Sequence, residues 1–199
     1  MSRMVALAHD RLRRLDPRSL PHTLKIGADL LEAPALTVKI GLPLSMTVTA
    51  PASGAESHHV FDVRLEGTWD NGATTVTTSV MTEVTSLCPC SKAISDYGAH
   101  NQRSRITLSV MGHGDTPYPL GAQEALRLLE RSASAPIVPL VKRPDERILT
   151  MQAYDHPAFV EDMVREVSGA CRERGLPHTV RVRNFESIHS HDAVALVSG

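Results

Sequence analysis

Aromatic residues are scarce in this chain: three Phe, three Tyr and one Trp make up 4% of its 199 residues. The core must therefore rest on Val, Leu, Ile, Ala and Met, packed by shape rather than by ring stacking. Cysteine is equally rare, and its odd count of three argues against a disulfide framework. No excess of one charge exists either, since 21 Lys and Arg face 22 Asp and Glu for a net charge of −1. That removes the electrostatic case for nucleic acid as a bulk partner and leaves any anionic ligand to a local basic cluster. No window approaches the roughly 18 apolar residues of a membrane span. The opening "MSRMVALAHDRLRRLD" is broken by His9, Asp10 and Arg11, so it does not read as a signal peptide. The expectation is a cytoplasmic protein without membrane or nucleic-acid partners, with Cys88, Cys90 and Cys171 as reduced thiols.

What remains is ordinary globular composition, 42% hydrophobic and 22% charged, at a length that suits one large domain or two small fused ones. Residues 3–14 and about 20–32 read as two helices parted by "DPRS". From Ala35 to Pro51, Val38, Ile40, Leu42, Leu44, Met46 and Val48 recur at every second position, the signature of a half-buried strand. Pro43 points to a bulge or an edge position there. His59–Leu65 and Thr74–Val84 flank "DNG" (Asp70 to Gly72) as a hairpin, and Arg105–Val110 forms a further strand. In the second half, Ala122, Ala125, Leu126 and Leu129 mark one helix. A second helix runs from about Pro157 to Glu173, and "HTVRVRNFESIH" reads as a closing strand. The class is α+β, with an antiparallel sheet carrying helices on one face. The other face is left to be covered, for which oligomerisation is a natural solution.

Four stretches could carry chemistry. "SLCPCSKAISDYGAHNQRS" holds Cys88, Cys90 and, ten residues later, His100. Its bland reading is two small buried thiols and a loop histidine. A structural zinc site would need four protein ligands, whereas a catalytic metal needs only three and an open position. Pro89 is expected to forbid a regular helix here, while Gly98 allows a tight turn that could return His100 toward the thiols. "NFESIHSHD" carries Glu186, His189 and His191. On a strand the two histidines would share a face and could bind metal or move protons, and Glu186 has the opposite parity. The bland alternative is a solvated terminal segment.

"LVKRPDER" offers Lys142, Arg143 and Arg147 as a compact basic cluster for phosphates and Glu146 as a carboxylate for a metal. Read plainly, it is a charged solvated turn. In "FVED", at about 100° per residue, Asp162 lies opposite the apolar stripe and Glu161 at its edge. A half-buried Glu161 could receive a paired N–H donor such as a guanine edge, although an ordinary boundary glutamate has the same pattern.

In this order, "TSLCPCSKAISDYGAHNQRS", "KRPDER", "FVEDMVRE" and "ESIHSHDA" resemble the GTP cyclohydrolases of type IB, and "MSRM" is similar to the family's "H-M-S-R-F" segment. The resemblance implies the tunnelling fold, here a single domain over 1–199 built of two tandem units, about 1–112 and 113–199. Family chains carry a segment before that motif, so the first unit is expected to lack its first strands. It also implies a homo-oligomer, a tetramer, with active sites at subunit interfaces.

The implied activity is conversion of GTP and water to 7,8-dihydroneopterin triphosphate and formate, in folate and pterin synthesis, by metal-activated water attacking guanine C8. The implied ligands of a divalent ion (zinc, iron or manganese) are Cys88, His100 and Glu146. Cys90 is implied as the neighbouring site cysteine, Glu161 as the purine carboxylate, and Glu186, His189 and His191 as the acid–base group. Two alternatives stay open: a cyclohydrolase of the same fold that leaves a cyclic phosphate product, and a metal- or nucleotide-binding protein without turnover.

Overall fold

The structure, a computed structural model, describes residues 2–199. Met1, the first residue of the "MSRM" segment, lies outside the described residues. Two helices open the chain, α1 (Ser2–Arg11) and α2 (Leu20–Leu31), with one 3-10 turn at Pro17–Ser19 between them. The long strands β1 (Ala35–Thr49), β2 (Glu56–Asp70) and β3 (Ala73–Leu87) follow, then a short helix α3 (Pro89–Ile94) and β4 (Asn101–His113). The remainder is α4 (Ala122–Arg131), a two-residue β5 (Ala135–Pro136), α5 (Arg143–Asp155), α6 (Val160–Glu173), β6 (His178–Asn184) and β7 (Ala193–Ser198).

All the strands form one antiparallel sheet in the order β1-β2-β3-β4-β6-β7, with β5 added against β3. The helices cover one face: α2 lies over β1 to β3, α4 over β3 and β4, and α6 over β6 and β7. The α+β reading with helices on one face is thus correct. The core is built as the scarcity of aromatics requires. Leu24, Leu65, Val80, Val84, Ile106, Leu108, Leu126, Leu129, Met163 and Val167 are buried to within a few per cent, and Phe61 is the one aromatic buried with them among the described residues.

The local signals worked where backbone chemistry is decisive. Asn71 and Gly72 both have positive φ (46° and 92°), which matches the tight hairpin turn that Asn-Gly favours. β1 keeps one unbroken register with β2 from Ala35↔Asp70 to Thr49↔Glu56, so Pro43 marks an edge strand and not a bulge. The apolar alternation of β1 puts its hydrophobic side chains half-buried under the helices, as expected.

Three expectations fail. Pro89 does not prevent a helix, because it sits at the first helical position of α3, where its missing N–H is not needed. "KRPDER" is no solvated turn but the start of the 13-residue α5, which supplies few core side chains and so leaves a weak apolar period. The closing strand stops at Asn184 rather than reaching His189, and a separate β7 pairs beside it.

Candidate functional site

The inward face of the sheet changes character at one end. Along β3, β4 and β6 most buried positions are apolar, with Thr78, Thr82 and His178 as exceptions, and at one end the polar Ser86, Gln102, Ser104 and Asn184 are all buried together. Strand register brings these together, since Ser86 pairs with Gln102 and Ser104 with Asn184. A buried polar cluster is stable only if its donors and acceptors are matched, and here they are. Ser86 Oγ donates to Ala158 O at 2.8 Å and accepts from Asn184 Nδ2 at 3.1 Å and Gln102 Nε2 at 3.4 Å. Ser104 Oγ donates to Asn184 Oδ1.

Above this floor is a cavity of about 330 Å³ lined by Cys88, Cys90, His100, Glu161, Glu186, His189 and His191, together with Ser86, Gln102, Asn184, Ala158 to Val160 and Ala193. Its volume is at the small end of ligand pockets.

Each wall has a local cause. β3 ends at Leu87, and Cys88 serves as N-cap of α3, its Sγ accepting from the backbone N–H of Ser91 at 3.4 Å. The loop after α3 turns at Gly98, whose φ is +80°, and closes when Cys88 N–H donates to His100 O at 3.0 Å. The tight turn expected at Gly98 therefore does return His100 to the thiols. Imidazole Nδ1 of His100 is 2.9 Å from Gln102 Oε1 and 3.4 Å from Ser187 Oγ.

On the far wall, Ala158 N–H donates to Leu87 O at 3.1 Å and so anchors the start of α6 beside Cys88. Glu161 opens on the cavity but is exposed, not half-buried, because it lies off the stripe of α6 that buries Val160, Met163 and Val164. Asp162 is also exposed, yet it caps the helix, its Oδ2 accepting from Phe159 N–H at 3.0 Å. The third wall is the segment between β6 and β7. His189 and His191 lie there in irregular backbone rather than on a strand. Their rings still stack, with centroids 5.3 Å apart, and the edge of His189 meets His100 at 6.3 Å.

The basic stretch goes elsewhere. Lys142, Arg143, Glu146 and Arg147 are exposed at the start of α5, and none of them lines this cavity. Among the described residues no group of three or more His, Cys, Asp or Glu is close enough to hold a metal ion. What fixes this helix end is Asp145, a residue with no telling pattern in the sequence. Fully buried, its carboxylate accepts from Ala52 N–H (2.7 Å), Ser53 N–H (2.8 Å), Ser53 Oγ (2.6 Å) and Lys142 N–H (2.9 Å). The Ser53 hydroxyl, helped by the three backbone N–H groups and opposed by burial, holds the Asp145 carboxyl well below the usual range. The third cysteine, Cys171, is buried in the core, where burial pushes its thiol pKa up and keeps it inert.

The residues missed by sequence reading, Ser86, Gln102 and Asn184, had a readable signal. Each is a polar residue on the inward parity of a strand whose other inward positions are mostly apolar. As a donor set, a thiol and an imidazole held at the two ends of the α3 connection suit a borderline-soft divalent ion.

Comparison with known proteins places the chain in a family. A family model described as type I GTP cyclohydrolase folE2 matches residues 1–195. The GTP cyclohydrolase FolE2 of Herminiimonas arsenicoxydans is 44% identical over 199 residues, which cover 99% of this chain and 75% of that protein. The GTP cyclohydrolase FolE2 of Paraburkholderia xenovorans is 42% identical, with 99% and 73% covered. That of Methylobacillus flagellatus is 39% identical over the same shares. With nearly the whole chain matched at this identity, the protein belongs to the type I GTP cyclohydrolase FolE2 family.

Proposed function

We propose that this chain converts GTP and water to 7,8-dihydroneopterin triphosphate and formate. The observation that carries the reading is the convergence of Cys88, His100, Glu161, Glu186, His189 and His191 on one cavity from four separate segments. Cys88 and His100 would hold the divalent ion, with Cys88 as thiolate. When bound, such an ion supplies Lewis acidity that makes C8 of the guanine open to hydration.

The remaining work falls to the chain itself. Glu161, at the cavity rim, accepts the N1–H and exocyclic N–H of the guanine edge and so orients the ring. Hydration of C8 and cleavage of its two bonds to nitrogen need protons delivered to those nitrogens, and His189 or His191 is placed to deliver them. Glu186, half-buried beside them, would orient one imidazole, and Cys90 flanks the reacting carbon. Formate then leaves with C8, and the ribose carbons close the new ring.

Lys142, Arg143 and Arg147 bind the triphosphate, and Glu146 completes the metal ligands, from a second copy of the chain. Their position on α5 away from the cavity of their own chain supports that assignment. The assembly is then a homo-oligomer with shared sites, read here as a tetramer of the tunnelling type. Each chain contributes two tandem units, about 1–112 and 113–199, whose sheets run together through the pairing of β4 with β6. No helix among the described residues is long and apolar enough to cross a membrane.

The test is to supply purified protein with GTP and zinc, iron(II) or manganese and to assay formate and the fluorescent pterin. Formate with a triphosphate product supports the proposal. Formate with a cyclic phosphate points to the other cyclohydrolase class. GTP binding without formate leaves a binding protein.

A further inference from the structure

One hydroxyl lies beneath every wall of the cavity. Ser86 Oγ has one proton and two lone pairs, and its three hydrogen bonds use all of them. The partners are Ala158, three residues before Glu161; Gln102, two after His100; and Asn184, two before Glu186. Ser86 itself is two residues before Cys88.

The direction of these bonds can be deduced from one end. The Ala158 carbonyl can only accept, so the Ser86 proton must point to it. Ser86 Oγ is then an acceptor, and the group of Gln102 facing it must be the NH₂. The same amide therefore turns its oxygen toward His100, and the ring nitrogen 2.9 Å away must carry hydrogen. Asn184 obeys the same logic independently, because Ser104 donates to its oxygen and leaves its NH₂ for Ser86.

We infer that Ser86 and Gln102 are positioning residues: their hydrogen-bond chain, anchored on the Ala158 carbonyl, keeps the proton of His100 on Nδ1 and its Nε2 bare for the metal. The chain also ties that imidazole to the segment that carries Glu161, so ion and guanine are held by one network. The inference rests on the metal-bound reading of the site and deepens it. A histidine ligand whose second nitrogen donates to an oxygen is oriented and made more basic. Here the acceptor is a neutral amide whose own orientation is set two bonds away.

The experiment has two arms. In metal-free parent protein, ¹⁵N NMR of labelled histidine reads the tautomer directly, and His100 should be the Nδ1–H form. Zinc affinity is then measured by competition with a chromophoric chelator, and cobalt(II) binding by its thiolate charge-transfer band. Gln102→Met, which fills the space but accepts no N–H, should bind zinc about 10–100-fold more weakly. Gln102→Glu restores an acceptor for Nδ1–H and should recover most of that loss. Ser86→Ala frees the amide to flip and should mix the two tautomers. Circular dichroism confirms that each variant is folded.

An Nε2–H tautomer in the parent overturns the inference, and so does a folded Gln102→Met protein with parental zinc affinity. Should the parent bind no zinc or cobalt, the metal reading fails, and the tautomer in the parent alone still decides whether the chain of bonds runs as deduced.

Discussion

The cavity and the start of α5 both carry chemically able side chains, yet they are built in opposite ways. In the cavity, residues from four segments converge because strand ends in fixed register hold them, and a buried serine, glutamine and asparagine tie the ends together. At α5, Lys142, Arg143, Glu146 and Arg147 stand on one exposed helix turn, away from the cavity of their own chain. Only their base is rigid, through the four hydrogen bonds that Asp145 accepts. A rigid base under an exposed functional surface is what a shared site needs from its donor copy. On the proposed reading, the cavity would supply geometry for chemistry, and α5 would supply charge at a fixed place for another chain.

The largest expected effect comes from breaking the cavity. Cys88→Ala removes the thiol from the metal donors and should abolish bound metal and formate release together. Metal analysis and a formate assay on the same preparation check this, and full occupancy with full turnover would remove Cys88 from the site.

The comparison itself is sharpened by mixing. Glu146→Ala should be as inactive as Cys88→Ala, but for a defect on the donor side. If the two regions meet across an interface, co-assembling the two dead variants regenerates some intact sites, about a quarter for random pairing of copies. Activity measured after unfolding and joint refolding of an equal mixture reads this directly. A mixture as dead as its components would place both regions in the same chain's site.

Next in size is the guanine edge. Glu161→Gln loses a charged acceptor of two N–H bonds, at about 1.5–3 kcal/mol. That corresponds to a drop of roughly ten- to a hundredfold in kcat/KM for GTP. Asp162→Asn should leave GTP use nearly unchanged and lower thermal stability slightly, since Asp162 caps α6 and faces away from the cavity lining. Equal kinetic effects of the two substitutions would sink the assignment of Glu161.

The sequence made the cavity more legible than α5, for a physical reason. Strand periodicity, the Asn71–Gly72 turn and the Gly98 turn are local consequences of backbone sterics, so they can be read residue by residue. Cys88, His100 and Glu161 stood out as residue types at telling spacings. Ser86, Gln102 and Asn184 did not, because their partners are 16 to 98 residues distant and only tertiary pairing defines them. The helix at α5 was hidden for another reason: with Asp145 and Ala153 as its only buried residues, it has almost no apolar stripe to detect. Its start is held by Asp145 and a turn some ninety residues earlier, a contact no local pattern announces. His189 and His191 were assigned to a common face for the wrong reason, since they meet through stacking in a loop rather than strand parity.

The smallest expected effect tests the rigid base of α5. Asp145→Asn keeps size but replaces an acceptor-only carboxylate by an amide whose NH₂ must face two of the four donors. At neutral pH this variant should melt several degrees below the parent, a typical shift for losing a buried network, and should show a raised KM for GTP together with a weakened metal affinity, because Glu146 stands on the same helix turn. The pH dependence follows from the direction of the Asp145 pKa. Its folded value lies well below the ordinary one, so the carboxylate's contribution is full above the unfolded value of about 3.9 and is lost as pH falls toward the folded value. The gap in melting temperature between parent and Asp145→Asn should therefore be constant from neutral pH down to about pH 5 and narrow below about pH 4. Melting curves of both proteins across that range decide it. A gap that persists unchanged into acid would mean that shape, not charge, holds the β1–β2 turn to α5, and that the Asp145 network does not set the base on which the basic cluster stands.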